Sequence, residues 1–410
     1  MPMPIETNPA PPGPRQIWSD FGGHYAVNAL VAFVFATTGP VAIILAVGSQ
    51  GSLTESDISS WMFGSFFLNG LISLAFCWLY RQPLVFLWSI PGAVLIGPAL
   101  GHLSFAEVIG AYHATGLLML VLGASGWVRR AMQAAVMPIV MGMVAGVFLR
   151  FGLDLVYALR DDFWIAAPMA AAFLALTTLP RLGRLMPPLI GALAVGAIAI
   201  ALFDRFQPGP GTIFSFAQPI LYAPEFSWRA MVELVLPLAI TVLVVQNGQG
   251  YAVLGAAGHK PPIDAATIAC GAGSMVCALV GAVPTCLTGP VNAIISTSGE
   301  RARQYTSGLL VAVLVIAFGA LAPTFTHLML ATPKAFIATL GGLAMLRVLQ
   351  TAFIASFRTT HTFGALITFV VTVANVPIFT IGAPFWGLVI GFLCSKLLEP
   401  GDFTKPEHGA

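Results

Sequence analysis

Charge is what this chain has least of. Asp, Glu, Lys and Arg together make 8% of its 410 residues, where a soluble domain carries about a quarter. Hydrophobic residues make 58%, and the mean hydropathy is +0.89. A folded surface in water needs polar groups over roughly half its area, so no water-soluble fold of this length hides that much apolar surface. The bilayer must be the solvent. Cysteine is scarce too. The five residues Cys77, Cys270, Cys277, Cys286 and Cys394 all lie in apolar stretches and form neither a disulfide framework nor a metal site. No nucleotide-binding motif, nucleophile–base constellation or metal-ligand spacing occurs, which argues against ATP-driven transport and against a membrane enzyme; no cofactor is called for. A net charge of +2 gives no reason to expect nucleic acid. The first 15 residues are Pro-rich and lack the basic-then-apolar order of a cleaved signal peptide. They are expected to form a short disordered cytoplasmic tail. What the chain has in quantity is Gly (42) and Pro (30), which membrane helices tolerate where neighbouring helices repair the freed backbone groups.

A spanning helix needs about 20 mostly apolar residues. Spans fall near 23–48, 60–80, 84–100, 106–124, 131–157, 162–180, 187–204, 230–256, 263–281, 283–298, 305–323, 333–356, 361–377 and 383–398, fourteen in all. With both termini cytoplasmic, the inside loops hold Arg15, Arg81, Arg129, Arg130, Arg181, Arg184, Lys260, Arg301, Arg303, Arg358, Lys396 and Lys405. The outside loops hold Arg160, Arg205, Arg229 and Lys334. Twelve cations against four obey the positive-inside rule. The longest loop, 205–229 with its PGPG, falls outside and divides the chain into seven plus seven spans.

The halves resemble each other faintly. YHATGLLMLVLG at 112–123 parallels YTSGLLVAVLVIAFG at 305–319; MGMVAGVFLR ending at Arg150 parallels ATLGGLAMLR ending at Arg347; SIPG at 89–92 parallels TGP at 288–290. Seven is odd, so the second half must be inverted in the membrane, the construction of many secondary transporters. Chance likeness among apolar segments is the alternative for any one pair. Arg150 and Arg347 fall at matching positions, where they snorkel or pair at a domain boundary, or else lie on an anion path.

Spans three and ten are broken. LVFLW at 84–88 runs into Ser89, Ile90, Pro91 and Gly92; VPTCL at 283–287 runs into Thr288, Gly289 and Pro290. Ser and Thr are good caps and Pro suits the first helical turn. Each span is therefore expected to hold a short extended run and then a half-helix starting near the midplane. The two strands would cross antiparallel, since extended backbone at that depth cannot face lipid. The alternative is that Pro and Gly merely kink continuous helices. Two half-helix N-termini facing one locus, each worth roughly half a positive charge, make a site for one carboxylate without Arg or Lys. Span eight brings Gln246, Asn247 and Gln249, costly in lipid and so expected to face protein or water. Gln246 and Gln249 lie three apart and share a helix face. Asn292 lies in the first turn after the second break. The amides serve either the ligand or helix–helix hydrogen bonds. Span one offers Thr37, Thr38, Gly39 and Pro40, a milder break.

Through FATTGPVAI, SIPGAVLIG, VVQNGQGYAVL and PTCLTGPVNAI, the chain resembles the benzoate/proton symporter (BenE-type) family, which is related in architecture to uracil permease and the sulfate-permease-type anion transporters. The resemblance runs over nearly the whole chain. It implies an all-α polytopic inner-membrane protein of fourteen spans, a seven-plus-seven inverted repeat with two short strands in broken spans three and ten. A core domain would comprise 23–125 (spans 1–4) and 229–325 (spans 8–11). A gate domain would comprise 126–228 (spans 5–7 with the outer loop) and 326–398 (spans 12–14). Cytoplasmic tails would be 1–22 and 399–410. Substrate would bind at Ser89, Ile90, Pro91, Gly92, Gln246, Asn247, Gln249, Thr288, Gly289 and Asn292, with Thr38 beside them. The implied function is import of benzoate or a similar small aromatic carboxylate with protons; a homodimer is compatible with this reading. The nucleobase branch uses glutamates in spans eight and ten, where this chain has amides. That argues against a nucleobase and leaves the proton carrier among His113, Glu233, Glu107 and His24, with His113 the one placed clearly inside a span. Rival readings are an anion channel or uncoupled exchanger of the sulfate-permease type, a nucleobase permease, and a non-transporting scaffold.

Overall fold

The computed structural model describes residues 10–179, 186–207, 214–297, 299–379 and 381–403. The PGPG turn, Arg181, Arg184, Lys405 and the chain ends expected as tails, residues 1–9 and 404–410, lie outside the described residues. Among the described residues the regular structure is helical apart from one two-stranded sheet and an isolated bridge. Its elements in order are α1 (Pro14–Asp20), α2 (Gly23–Thr37), α3 (Gly39–Gln50), α4 (Glu55–Tyr80), β1 (Phe86–Trp88), α5 (Ile90–Ala99), α6 (Phe105–Ser125), α7 (Val128–Ala134), α8 (Met137–Asp161), α9 (Phe163–Thr178), α10 (Pro188–Leu202), α11 (Trp228–Ala256), α12 (Ile263–Ala278), β2 (Thr285–Leu287), α13 (Gly289–Ile295), α14 (Tyr305–Ala320), α15 (Ala322–Leu330), α16 (Lys334–Phe357), α17 (Thr362–Ala374) and α18 (Ala383–Leu398). Among the described residues, counting α2 and α3 as one broken helix and including the short approach to α14, seven helices are long and apolar enough to cross a membrane, and six more apolar helices are shorter: α5, α9, α10, α12, α17 and α18.

Residues 10–22 depart from the disordered tail expected at the N-terminus. Pro14 opens α1, where its missing N–H is no loss. Asp20 then takes the Tyr305 hydroxyl at 2.8 Å and lies 3.7 Å from Arg81, while Arg303 donates to the Asp20 and Ser19 carbonyls at 2.9 Å. The Trp78 indole donates to Pro12 O at 3.0 Å. Polar anchors on four separate residues hold a segment that has too little apolar area to hold itself.

The packing pairs the two halves. α8 lies along α16, α6 along α12, and α4 along α14; α9 packs on α10 and α17 on α18. α3 touches α5 as α11 touches α13. Exchanging first-half for second-half elements leaves this set of neighbours unchanged. The buried residues run continuously through these contacts: Trp61, Phe66, Phe86, Phe148 and Tyr112 are fully enclosed, whereas Leu117, Val121, Val156, Ile198 and Leu397 point outward. An apolar exterior of that kind suits lipid, not water.

Candidate functional site at the paired half-helices

At the centre, β1 and β2 pair antiparallel with Phe86 opposite Leu287, Leu87 opposite Cys286 and Trp88 opposite Thr285. Ser89 N–H donates to Pro284 O at 3.0 Å and Thr288 N–H to Val85 O at 3.2 Å, closing both ends of the ladder. Two strands alone leave every second N–H pointing outward, and each such group buried without a partner costs about 1–3 kcal/mol. Side chains from neighbouring helices supply the partners. Phe86 N–H donates to Ser73 Oγ at 2.8 Å, Thr285 N–H to Ser274 Oγ at 2.9 Å, and Leu287 N–H to Asn247 Oδ1 at 2.7 Å. Asn69 Oδ1 accepts the Thr285 hydroxyl at 2.8 Å. Asn69 directly follows a π turn, Gly64–Leu68, and Asn247 ends another, Thr241–Asn247. Such widened turns recur at functional places in helices; here each delivers an amide to the strands.

The two approaches to the strands differ by one hydrogen. Val85 N–H donates to Asn292 Oδ1 at 2.9 Å, and Asn292 Nδ2 donates back to Val85 O at 3.1 Å. The corresponding residue before β2 is Pro284, which has no N–H. At the matching place in the other half, four residues beyond the Ser89 cap, is Ala93, as Asn292 is four beyond Thr288. An amide is present where a backbone donor needs one and absent where none exists. Asn292 and Asn247, expected among the ligand contacts, are thus fully buried with their amides bonded to the strand backbone or, for Asn247 Nδ2, to Cys270 Sγ at 3.5 Å. Sequence reasoning weighed these amides against a ligand or another helix and missed the third customer, the strand edges. Ser73 and Ser274 were missed for the same reason. Their signal was a lone Ser in an apolar run 13 and 11 residues ahead of the strand residue it serves.

The half-helices begin where expected, α5 at Ile90 with Pro91 in its first turn and α13 at Gly289 with Pro290. They are not equivalent. Ser89 Oγ accepts Gly92 N–H at 3.1 Å and so caps its own helix, whereas the Thr288 hydroxyl caps nothing. The α13 end keeps its first-turn donors free of side-chain caps. Gln249 is exposed and lies over Gly289 so closely that a Cβ there would come 2.6 Å from its Oε1. Gln246 is buried with 7% exposure. The two glutamines therefore sit in different surroundings, because the π turn ending at Asn247 offsets the 3.6-residue spacing on which a shared face depends. Thr38 sits at the break between α2 and α3 (φ −96°, ψ −88°), its hydroxyl donating to Val34 O at 2.8 Å. With roughly half a positive charge at each N-terminus, and Thr288 and Gln249 beside one of them, the locus has the electrostatics to take a single small anion.

The titratable candidates scatter. His113 is half-buried, its Nδ1 donating to Ile109 O at 2.9 Å, which leaves Nε2 for another partner. Glu107 forms a capping box with Ser104 at the start of α6. His24 lies against Tyr25, ring centres 3.9 Å apart and planes tilted by 47°. Glu233 is 4% exposed and meets His102 Nε2 at 2.9 Å. Arg150 pairs with Asp154 at 3.0 Å and Arg347 with Gln350 at 3.0 Å. A cavity of about 250 Å³ opens at the far end of α5, lined by Gln50, Val94, Pro98, Arg150, Thr372 and Pro384 among others.

Residues 23–397 match the family model described as benzoate membrane transport protein. The chain is 26% identical over 375 residues to inner membrane protein YdcO of Escherichia coli (strain K12), covering 90% of this chain and 94% of that protein. It is 24% identical over 392 residues to the benzoate membrane transport protein of Acinetobacter baylyi, covering 94% and 97%. Among solved structures, SLC26A9 superposes with a TM-score of 0.62 at 15% identity over 90% of this chain, which spans 64% of that protein's length. The transmembrane domain of the cyanobacterial bicarbonate transporter BicA gives 0.60 at 15% identity, covering 90% and 97%. These superpositions establish the fold.

Proposed function

The chain belongs to the benzoate membrane transport protein family, and from that premise we propose that it is a secondary transporter importing benzoate, or a similar small aromatic carboxylate, together with protons across the inner membrane. It is a transport protein and not an enzyme. The observation that carries the substrate reading is the meeting of two half-helix N-termini across the β1–β2 pair, one capped by its own serine and the other open. In this reading the carboxylate lies at the α13 end, taking donors from the first turn at Gly289, the Thr288 hydroxyl and Gln249. Ser89, Ile90, Pro91 and Gly92 form the opposite wall, with Gln246 and Thr38 at the flank. Asn247 and Asn292 position the strands.

The exchange-symmetric packing supports fourteen spans in two inverted sets of seven, with both termini cytoplasmic. It also supports a core of 23–125 and 229–325 moving against a gate of 126–228 and 326–398. Benzoate is an anion at neutral pH, and moving it inward against a negative interior costs about 2.3 kcal/mol per 100 mV. One co-transported proton cancels that charge. His113 and Glu233 are the proposed carriers.

Uptake of labelled benzoate into proteoliposomes, with and without an imposed inward proton gradient, tests the reading. Accumulation that follows the gradient supports it. Because a helix-end site takes small inorganic anions as readily as carboxylates, the second reading is uncoupled anion passage; sulfate, chloride or bicarbonate flux indifferent to the gradient would establish that instead.

A further inference from the structure

We propose that Glu233 and His102 form a one-proton site that closes the core domain against the gate beside the cavity at the end of α5, a step that rests on the transport reading above and locates its proton. Glu233 lies in the π turn Met231–Val235 of α11, and His102 follows directly on α5, its N–H donating to Ala99 O at 3.0 Å. The carboxylate is 4% exposed, and His102 Nε2 at 2.9 Å is its one polar contact among the described residues. On its other side Oε1 presses against Gly382, where a Cβ would collide with it. Gly382 caps the N-terminus of α18. The contact therefore joins α5 and α11, assigned to the core, with α18, assigned to the gate. Pro98 of α5 and Pro384 of α18, a few residues from His102 and Gly382, both line the 250 Å³ cavity, so the contact stands at its rim.

The remaining titratable and charged groups on elements packed against this turn are otherwise placed. On α6, Glu107 is held in its capping box and His113 bonds its own helix, while the Tyr112 hydroxyl is buried without a partner. Arg229 precedes the turn by two residues, and Lys396 lies in the last turn of α18, at the opposite end from Gly382. Among the described residues, His102 alone makes a hydrogen bond to the acid.

The charge states decide which way the site works. With a neutral imidazole the buried pair carries one uncompensated negative charge. The α18 N-terminus offsets only part of that, and desolvating an unpaired carboxylate outweighs one helix end. Desolvation wins, so the unprotonated pair favours parting and admitting water. One added proton, shared between acid and imidazole, makes the pair neutral overall and permits burial. Proton binding thus closes the contact, which is the requirement on a carrier that must not return across the membrane without its proton.

Pulsed EPR distances between spin labels at Gln50→Cys and Val373→Cys, across the cavity, read the closure; the unsubstituted chain, whose five cysteines are buried or partly so, gives the background. The long-distance population should grow as pH is raised. Glu233→Gln should hold the short distance at every pH, and His102→Gln should alter the parent's response to pH. A parent distance indifferent to pH, or a Glu233→Gln protein that tracks the parent, overturns the proposal. If Glu233→Gln fails to fold, His102→Gln decides it, a transition at the parent's pH being the refuting result. Benzoate uptake measured on the same preparations separates the two readings. An intact distance switch without uptake defeats only the substrate assignment, and gradient-driven uptake without a switch defeats only this site.

Discussion

Asn292→Ala is the sharpest test of the strand frame. In the wild-type chain Val85 is fully buried, its N–H bonded to Asn292 Oδ1 at 2.9 Å and its carbonyl bonded twice, to Asn292 Nδ2 at 3.1 Å and to Thr288 N–H at 3.2 Å. Truncation leaves the carbonyl one partner and the N–H none. The loss is then one buried unsatisfied donor, about 1–3 kcal/mol, or roughly 5- to 150-fold in the ratio of folded to unfolded protein. Chemical unfolding in mild detergent, followed by intrinsic fluorescence, measures it. The other half of the molecule supplies the rescue. There the matching pair is Pro284, which has no N–H and makes no demand for an acceptor, and Ala93, so Val85→Pro should remove the demand that Asn292 meets. Each single variant should destabilise: Asn292→Ala orphans a donor and Val85→Pro orphans an acceptor. The double variant should recover at least half of the loss seen with Asn292→Ala, a coupling that a cycle of four proteins isolates. Benzoate affinity of the folded fraction should persist. Unchanged stability in Asn292→Ala with weakened benzoate binding would refute the reasoning and return Asn292 to the ligand; strictly additive losses would refute the pairing with Val85.

Gln249→Ala and Gln246→Ala should each raise the benzoate Kd about 10- to 150-fold if each donates to the carboxylate, measured by equilibrium binding at unchanged expression. Gly289→Ala should weaken benzoate binding in the same assay, because the added Cβ, 2.6 Å from both Cγ and Oε1 of Gln249, forces that side chain out of its place. His259, in the loop after α11, is held below the usual imidazole range by burial, only partly opposed by its 2.7 Å bond to Gln304. A depressed histidine is neutral when folded and charges more readily when unfolded, so its contribution is complete above about pH 6.5 and is lost as pH falls from there toward its folded value. His259→Gln should flatten the dependence of the unfolding midpoint on pH in that window.

Much of this was legible because membrane solvation is severe. Twenty apolar residues without charge have few alternatives to spanning, and Pro–Gly breaks at Pro91 and Pro290 inside such runs had to create extended backbone that pairs with itself. The strands at Phe86–Trp88 and Thr285–Leu287 follow from that demand. The helix Val128–Ala134 and the docked residues 10–22 were not legible, since each depends on partners distant in sequence: Asp20 on Arg81 and Tyr305, Pro12 on Trp78. His102 was passed over because it lies in a short loop after α5, and nothing local says that Glu233, 131 residues away, will reach it.

The harder lesson concerns amides. Gln246, Asn247, Gln249 and Asn292 look alike in sequence: polar, uncharged and mid-span. Their fates divide by what the backbone around them lacks. Asn247 and Asn292 sit opposite N–H groups of Leu287 and Val85 that no strand can reach, and they are spent there. Gln249 lies beside a helix end whose own cap residue, Thr288, makes no side-chain cap. In a protein with few charges, the ligand's share is what remains after every buried N–H has been answered. That remainder is greatest at the α13 end, because Ser89 serves its helix and Thr288 does not. In the proposed reading, a carboxylate arriving between the two half-helices would meet one wall capped by its own serine and one without a side-chain cap, and that asymmetry would set which way it points.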